Sequence, residues 1–193
     1  PSELFPRLVL DALLRVGRLS EAFHASLLNW VHSGFSVHAE QLLLPEETER
    51  TAHIEPVTHD DMVWADGYFL SVPTRYGVPA SQARAFIDTL GGLWFEGKLA
   101  NKTFTAITSA QNPHGGQETT LWTMMLPLLH HGMLLTGIPY SETDLLHTDA
   151  GGTPYGASHL AGTDSKKPLT EAEQRLCRAL GKRLAEIALK LQS

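Results

Sequence analysis

Thr74, Arg75 and Tyr76 stand in a row between Pro73 and Gly77, directly after the apolar run Tyr68–Val72. A hydroxyl, a guanidinium and a phenol, flanked by one residue without an amide proton and one that tolerates φ > 0, describe a polar loop leaving a strand. A second loop, Ala110-Gln111-Asn112-Pro113-His114-Gly115-Gly116-Gln117, follows Ser109. A third is shorter: Arg15, Val16, Gly17, Arg18 and Leu19, after Leu14. Backbone amides in glycine-bearing loops and at helix starts suit an anion such as phosphate. Amide side chains and one guanidinium suit a flat heteroaromatic ring with hydrogen-bonding edges. Taken singly, Gly77, Gly115 and Gly116 need do no more than permit turns. Two such loops at adjacent strand ends favour a binding site.

Other candidates are individually weaker. Trp94 follows Gly91-Gly92 and reads either as core or as an aromatic wall over a site. His130 and His131 close a helical stretch, where they serve as dipole partners or as site residues. The remaining histidines show no ligand spacing, and neither a His-Glu-x-x-His pattern nor a useful carboxylate pair occurs, so no catalytic metal is expected. Cys177 lies beside the apolar stripe of the last helix and reads as a structural thiol.

These residues need strands and helices to hold them. Arg7–Leu14 reads as a first strand and Phe35–Leu44 as a second, with a helix between them carrying Leu19, Phe23, Leu27, Trp30 and Val31 up to Gly34. Pro45–Asp61 reads as a surface excursion. Tyr68–Val72, Lys102–Ser109 and Met133–Ile138 supply three further strands. A helix follows the Pro73–Gly77 loop, with Ala83, Phe86, Ile87 and Leu90 at helical spacing. Another carries Leu121, Met124, Met125, Leu128 and Leu129, with a kink expected at Pro127. The last opens on a capping box, Thr170 to Glu173. Pro139–Pro168 lacks periodicity, and a segment of that length is usually functional or an interface. Five strands alternating with helices predict an α/β three-layer sandwich around a parallel sheet of flavodoxin-like order 2-1-3-4-5. Ligands of such sheets bind at the carboxyl ends of strands.

The bulk numbers bound this reading. With 193 residues the chain is expected to form a single domain, residues 1–193. A content of 42% hydrophobic and 19% charged residues fits a globular protein, and a net charge of −6 without a basic block argues against nucleic acid or an anionic membrane as partner. The single cysteine excludes an intrachain disulfide. No membrane-length apolar run or signal pattern is present, and a cytoplasmic location is expected. There is no Gly-x-Gly-x-x-Gly and no Gly-Lys-Ser/Thr phosphate loop.

From about residue 67 onward the sequence resembles the WrbA family of NAD(P)H:quinone oxidoreductases. The matching segments are Pro-Thr-Arg-Tyr-Gly (73–77), Phe-Ile-Asp-Thr-Leu-Gly-Gly-Leu-Trp (86–94), Gly-Gly-Gln-Glu-Thr-Thr (115–120), Leu-Leu-His-His-Gly-Met (128–133) and Gly-Gly-Thr-Pro-Tyr-Gly-Ala (151–157). The resemblance implies a flavodoxin-like fold, FMN, a homotetramer, and two-electron quinone reduction by NADH or NADPH. By position it implies that Pro73, Thr74, Arg75, Tyr76 and Gly77 meet the flavin ring and ribityl chain, and that Ser109, Ala110, Gln111, Asn112, Gly115 and Gly116 wrap its other edge. It implies His131 near the ring, and Trp94 and Tyr76 as walls of a cleft where nicotinamide and quinone alternate in a ping-pong cycle. The chain departs from the family at the first loop: Leu14 and Val16 replace a serine and an aromatic, and Asp11 charges the strand before them. Arg15 and Arg18 either replace the lost phosphate contacts or are solvated. Ala110 and Val78 also stand where many members have Thr and Asn. The departures leave a second reading open, a fold-keeping paralogue with weak or no FMN binding that acts as a binding or scaffold protein.

Overall fold

The computed structural model describes residues 57–192. The expected strands Arg7–Leu14 and Phe35–Leu44, the helix between them, and the candidate binding residues Arg15, Val16, Gly17, Arg18 and Leu19 lie outside the described residues.

Two parallel strands form the centre. β1 (Gly67–Arg75) pairs with β3 (Thr103–Ala110) in register from Gly67↔Thr103 to Pro73↔Ser109. Side chains of both strands are buried on both faces, which is why each reads as a near-continuous apolar run. Tyr68, Leu70, Val72, Phe104 and Ala106 point to one face. There they meet Phe86 and Ile87 of α2 (Ser81–Asp88) and Leu121, Met124, Met125 and Leu128 of α4 (Gln117–His130). Phe69 and Ile107 point to the other face, onto Leu176, Cys177, Leu180 and Leu184 of α6 (Glu171–Leu191). Each fully buried Leu, Ile or Phe contributes about 1.5–3 kcal/mol against leaving it in water. The small residues Gly67 and Ala188 let α6 lie close on β1: a Cβ added at Gly67 would sit 3.4 Å from Ala188 Cβ.

The structure revises several expectations. β1 does not stop at Pro73 but runs on to Arg75, because the proline sits at the last rung of the ladder, where a missing N–H costs least. The helix α1 (His59–Trp64) begins inside the expected surface excursion Pro45–Asp61. Its start is a complete capping box: Thr58 accepts from the Asp61 amide, and Asp61 accepts from the Thr58 amide. At its other end Lys102 donates to the carbonyls of Met62, Val63 and Ala65, the last at 2.6 Å. As expected, α4 runs to His130 with Pro127 inside it.

The expected strand Met133–Ile138 is shorter than predicted and has a second half elsewhere. β4 (Leu134–Leu135) pairs with Thr103 and Phe104 at the start of β3. The chain then leaves the sheet and returns as β5 (Ala157–Leu160), which pairs with Ile107–Ala110 of the same strand. One strand position is thus filled end to end by two pieces of chain. Close packing holds the return in place: a Cβ at Gly156 would sit 2.2 Å from Ala106 O, and one at Gly137 2.3 Å from Pro154 O. The short helix α5 (Asp144–His147) lies in the excursion and is tied to α6 by a two-pronged Asp144–Arg175 pair.

Glu173 fastens these parts together. Its side chain is buried, and it accepts from the amides of Gly151 (2.9 Å), Leu160 (3.0 Å) and Thr170 (2.7 Å) while facing His159 Nδ1 at 3.2 Å. Burial pushes its pKa up, but His159 and the three amides outweigh burial and hold the carboxyl at about 2. Among the described residues, no helix is long and apolar enough to cross a membrane.

Candidate functional site

The Pro73–Gly77 loop is a tight hairpin. β1 turns through Tyr76 and Gly77 into β2 (Val78–Pro79), pairing Arg75 with Val78 and Thr74 with Pro79. Both turn residues have positive φ, 55° and 80°, the geometry of a type I′ turn. Glycine adopts this freely, but tyrosine does so at a cost of order 1 kcal/mol, and such strain collects at functional loops. The Tyr76 ring is fully exposed. Arg75 is also exposed, its guanidinium donating to the Thr74 carbonyl at 3.0 Å.

The second loop folds on itself and against the hairpin. Asn112 Oδ1 accepts from the His114 amide at 2.9 Å, and Asn112 O from the Gly115 amide at 3.0 Å. Such side-chain-to-backbone bonds shape turns without a ladder. Gly116, with φ 83°, precedes the first turn of α4. A Cβ on it would lie 2.6 Å from Gly77 Cα, and one on Gly115 would lie 2.8 Å from Ala110 Cβ. The two loops therefore touch backbone to backbone. Thr74 reaches across the same seam, its Oγ1 lying 2.5 Å from Thr120 Oγ1 and 3.4 Å from Gly115 O.

Pro73, Thr74, Arg75, Tyr76, Gly77, Ser109, Ala110, Gln111, Asn112, Gly115 and Gly116 are thus gathered at the carboxyl ends of two neighbouring parallel strands. Gln111 and Asn112 are exposed there, and Ser109 is half-buried. Gln117 Oε1 and Thr108 Oγ1 are buried with no hydrogen-bond partner among the described residues. Gln117, Thr119 and Thr120 lie within the matched segment 115–120 but were not among the candidate site residues. A threonine at 120, four residues before Met124 and eight before Leu128, falls on the buried stripe of α4, and that was the available signal.

Trp94 and His131 are together, but elsewhere. Trp94, on α3 (Gly91–Phe95), donates from Nε1 to the His130 carbonyl at 2.9 Å. His130 closes α4, whose first residue adjoins the loop at Gly116, so the length of that helix, about 20 Å, separates Trp94 and His131 from Tyr76 within one chain. Trp94 is half exposed. His131 is buried, and among the described residues its Nδ1 has no partner. Burial, with a smaller contribution from His130, holds its imidazole below the ordinary histidine range. Cys177 is fully buried, and burial pushes its thiol up. No group of three metal-binding side chains occurs among the described residues.

A parallel α/β sheet with helices on both faces and paired polar loops at its strand ends defines a flavodoxin-like protein. In fold it is similar to the solved flavodoxin, WrbA-like protein from Agrobacterium tumefaciens, with a TM-score of 0.51 over 70% of this chain and 75% of that one at 22% identity. In sequence the chain is 48% identical over 143 residues to a protein named NAD(P)H dehydrogenase (quinone) from Deinococcus radiodurans, covering 74% of this chain and 69% of the relative. It is 40% identical to one of the same name from Geotalea daltonii, over 79% of this chain and 75% of that protein. The chain belongs to the NAD(P)H dehydrogenase (quinone) family. No protein-family model matches it.

Proposed function

We propose that this protein is an FMN-dependent NAD(P)H:quinone oxidoreductase of the cytoplasm, built as one domain over residues 1–193. The observation that carries the reading is the locked pair of loops at the ends of β1 and β3, in a chain whose relatives are named for this reaction. The residues present fit the ring of a flavin. Thr74 offers a hydroxyl, and Gln117 Oε1 is a buried acceptor with no partner among the described residues, both beside the seam where the two loops meet. Pro73, Thr74, Arg75, Tyr76 and Gly77 would hold one side of the ring, and Ser109, Ala110, Gln111, Asn112, Gly115 and Gly116 the other. Arg15, Val16, Gly17, Arg18 and Leu19 would hold the phosphate.

When bound, FMN supplies the redox chemistry, two electrons as hydride from NADH or NADPH to a quinone, with donor and acceptor occupying one cleft in turn. The chain's part is to bind, orient and exclude water. The exposed Tyr76 ring stands where it can stack on either co-substrate.

Trp94 and His131 can serve this cleft only from another copy of the chain, since α4 separates them from Tyr76 in their own. A homotetramer meets that requirement. Support comes from the outer side of α4, where Trp122, Leu126 and Leu129 lie exposed at helical spacing near the exposed Trp94 and Phe95.

Titrating the purified chain with FMN while following flavin fluorescence, then assaying NADH- and NADPH-driven benzoquinone reduction, tests the reading. Micromolar or tighter binding with turnover is expected. A folded protein that leaves flavin free overturns it and favours the non-enzymatic paralogue.

A further inference from the structure

Thr120 is fully buried, and among the described residues its hydroxyl has one hydrogen-bond partner, Thr74 Oγ1 at 2.5 Å. Each hydroxyl carries one proton, and only one of the two can lie between the oxygens. Were Thr74 the donor, the Thr120 proton would be buried with no acceptor among the described residues, which is costly. With Thr120 as donor both demands are met. The Thr74 proton is then left for another acceptor, and among the described residues Gly115 O is offered only at a long 3.4 Å. Thr74 itself is half-buried at the mouth of the seam between the two loops, open to whatever enters.

We infer that Thr120 is a positioning residue: by donating to Thr74 it turns the Thr74 hydroxyl into a committed donor toward the ligand of the cleft. The ligand class this selects is a flat heteroaromatic ring with a carbonyl oxygen or unprotonated ring nitrogen at its edge. The inference deepens the flavin reading and rests on it. Thr120 touches no ligand in this scheme; it acts through Thr74.

The test is FMN affinity of the full chain, read by flavin fluorescence quenching, for the wild type, Thr120→Val, Thr120→Ser, Thr74→Val and the Thr74→Val/Thr120→Val double variant. Urea unfolding of each flavin-free chain runs alongside. Thr120→Val keeps the shape of the side chain and should weaken binding about tenfold, the worth of one net hydrogen bond. Thr120→Ser should restore affinity to within about twofold. The double variant should bind no more weakly than Thr74→Val, since both changes remove the same donor. If Thr120→Val does not fold, Thr120→Ala replaces it in the same cycle. Wild-type affinity in a folded Thr120→Val chain overturns the inference while leaving the flavin reading intact. So do losses from Thr74 and Thr120 that add independently, which would mark a packing role. A wild-type chain that binds no FMN overturns the reading itself, and the inference with it.

Discussion

Gly77 and Gly116 pass each other with no side chain between them, and a Cβ on Gly116 would stand 2.6 Å from Gly77 Cα. This contact sets the spacing of the two candidate ligand loops. Gly116→Ala must move the loops apart and also hold alanine at φ 83°. We expect a loss of about 1–3 kcal/mol in urea unfolding, together with weakened FMN binding. Gly91→Ala, where nothing among the described residues lies within 4 Å of the added Cβ, should leave FMN affinity unchanged and is the control.

Glu173 makes stability depend on acid. Its carboxyl titrates at about 2 in the folded chain against an ordinary 4.5. A depressed carboxylate contributes stability that is complete above the unfolded value and lost as pH falls through the folded one. The loss should therefore occur between about pH 4.5 and 2 and amount to roughly 3 kcal/mol. Urea unfolding at a series of pH values in the wild type and in Glu173→Gln checks this. The variant should start less stable at neutral pH and decline less steeply through that window. Parallel curves would show that other carboxylates govern the acid transition.

Lys102 closes the carboxyl end of α1, and its ammonium lies 5.9 Å from the centre of the Tyr68 ring. Lys102→Met keeps the stem and removes the three donors. We expect a loss of about 1–3 kcal/mol, with faster amide hydrogen exchange concentrated in residues of α1. Uniform exchange across the chain would mean that the ammonium does not act locally.

Cys177 should be silent in the native protein. It is fully buried, and burial disfavours its thiolate. A chromogenic disulfide reagent at pH 8 should release no colour from folded protein and one equivalent per chain in guanidinium. Prompt native reaction would mean that α6 opens readily from the sheet.

The central strands were legible because both faces are buried, so Tyr68–Val72 and Lys102–Ser109 stand out as apolar runs. The start of α6 was legible for a different reason: Thr170 and Glu173 form a capping box, and the spacing alone announces it. β5 was not, since Ala157–Leu160 is only four residues long and glycines and prolines surround it. The hairpin was hidden by its turn pair, Tyr76-Gly77, which lacks the usual asparagine. Of the candidate site, the two loops were readable as strand-end glycine segments. The Thr74–Thr120 contact was not, because it joins residues 46 positions apart. The separation of Trp94 and His131 from Tyr76 follows from helix length and needed only the arithmetic of rise per residue.

The broken edge of the sheet has a consequence for how this family can diversify. β4 and β5 each take their alignment from β3, one from Thr103 and Phe104, the other from Ile107 to Ala110. The chain between them is pinned near both ends, Gly137 against Pro154 and Gly151 to Glu173, so only its exposed tip can vary without disturbing either strand. That makes residues 140–143 a socket in the architecture: new surface can be grafted there while the sheet and its ligand loops keep their places.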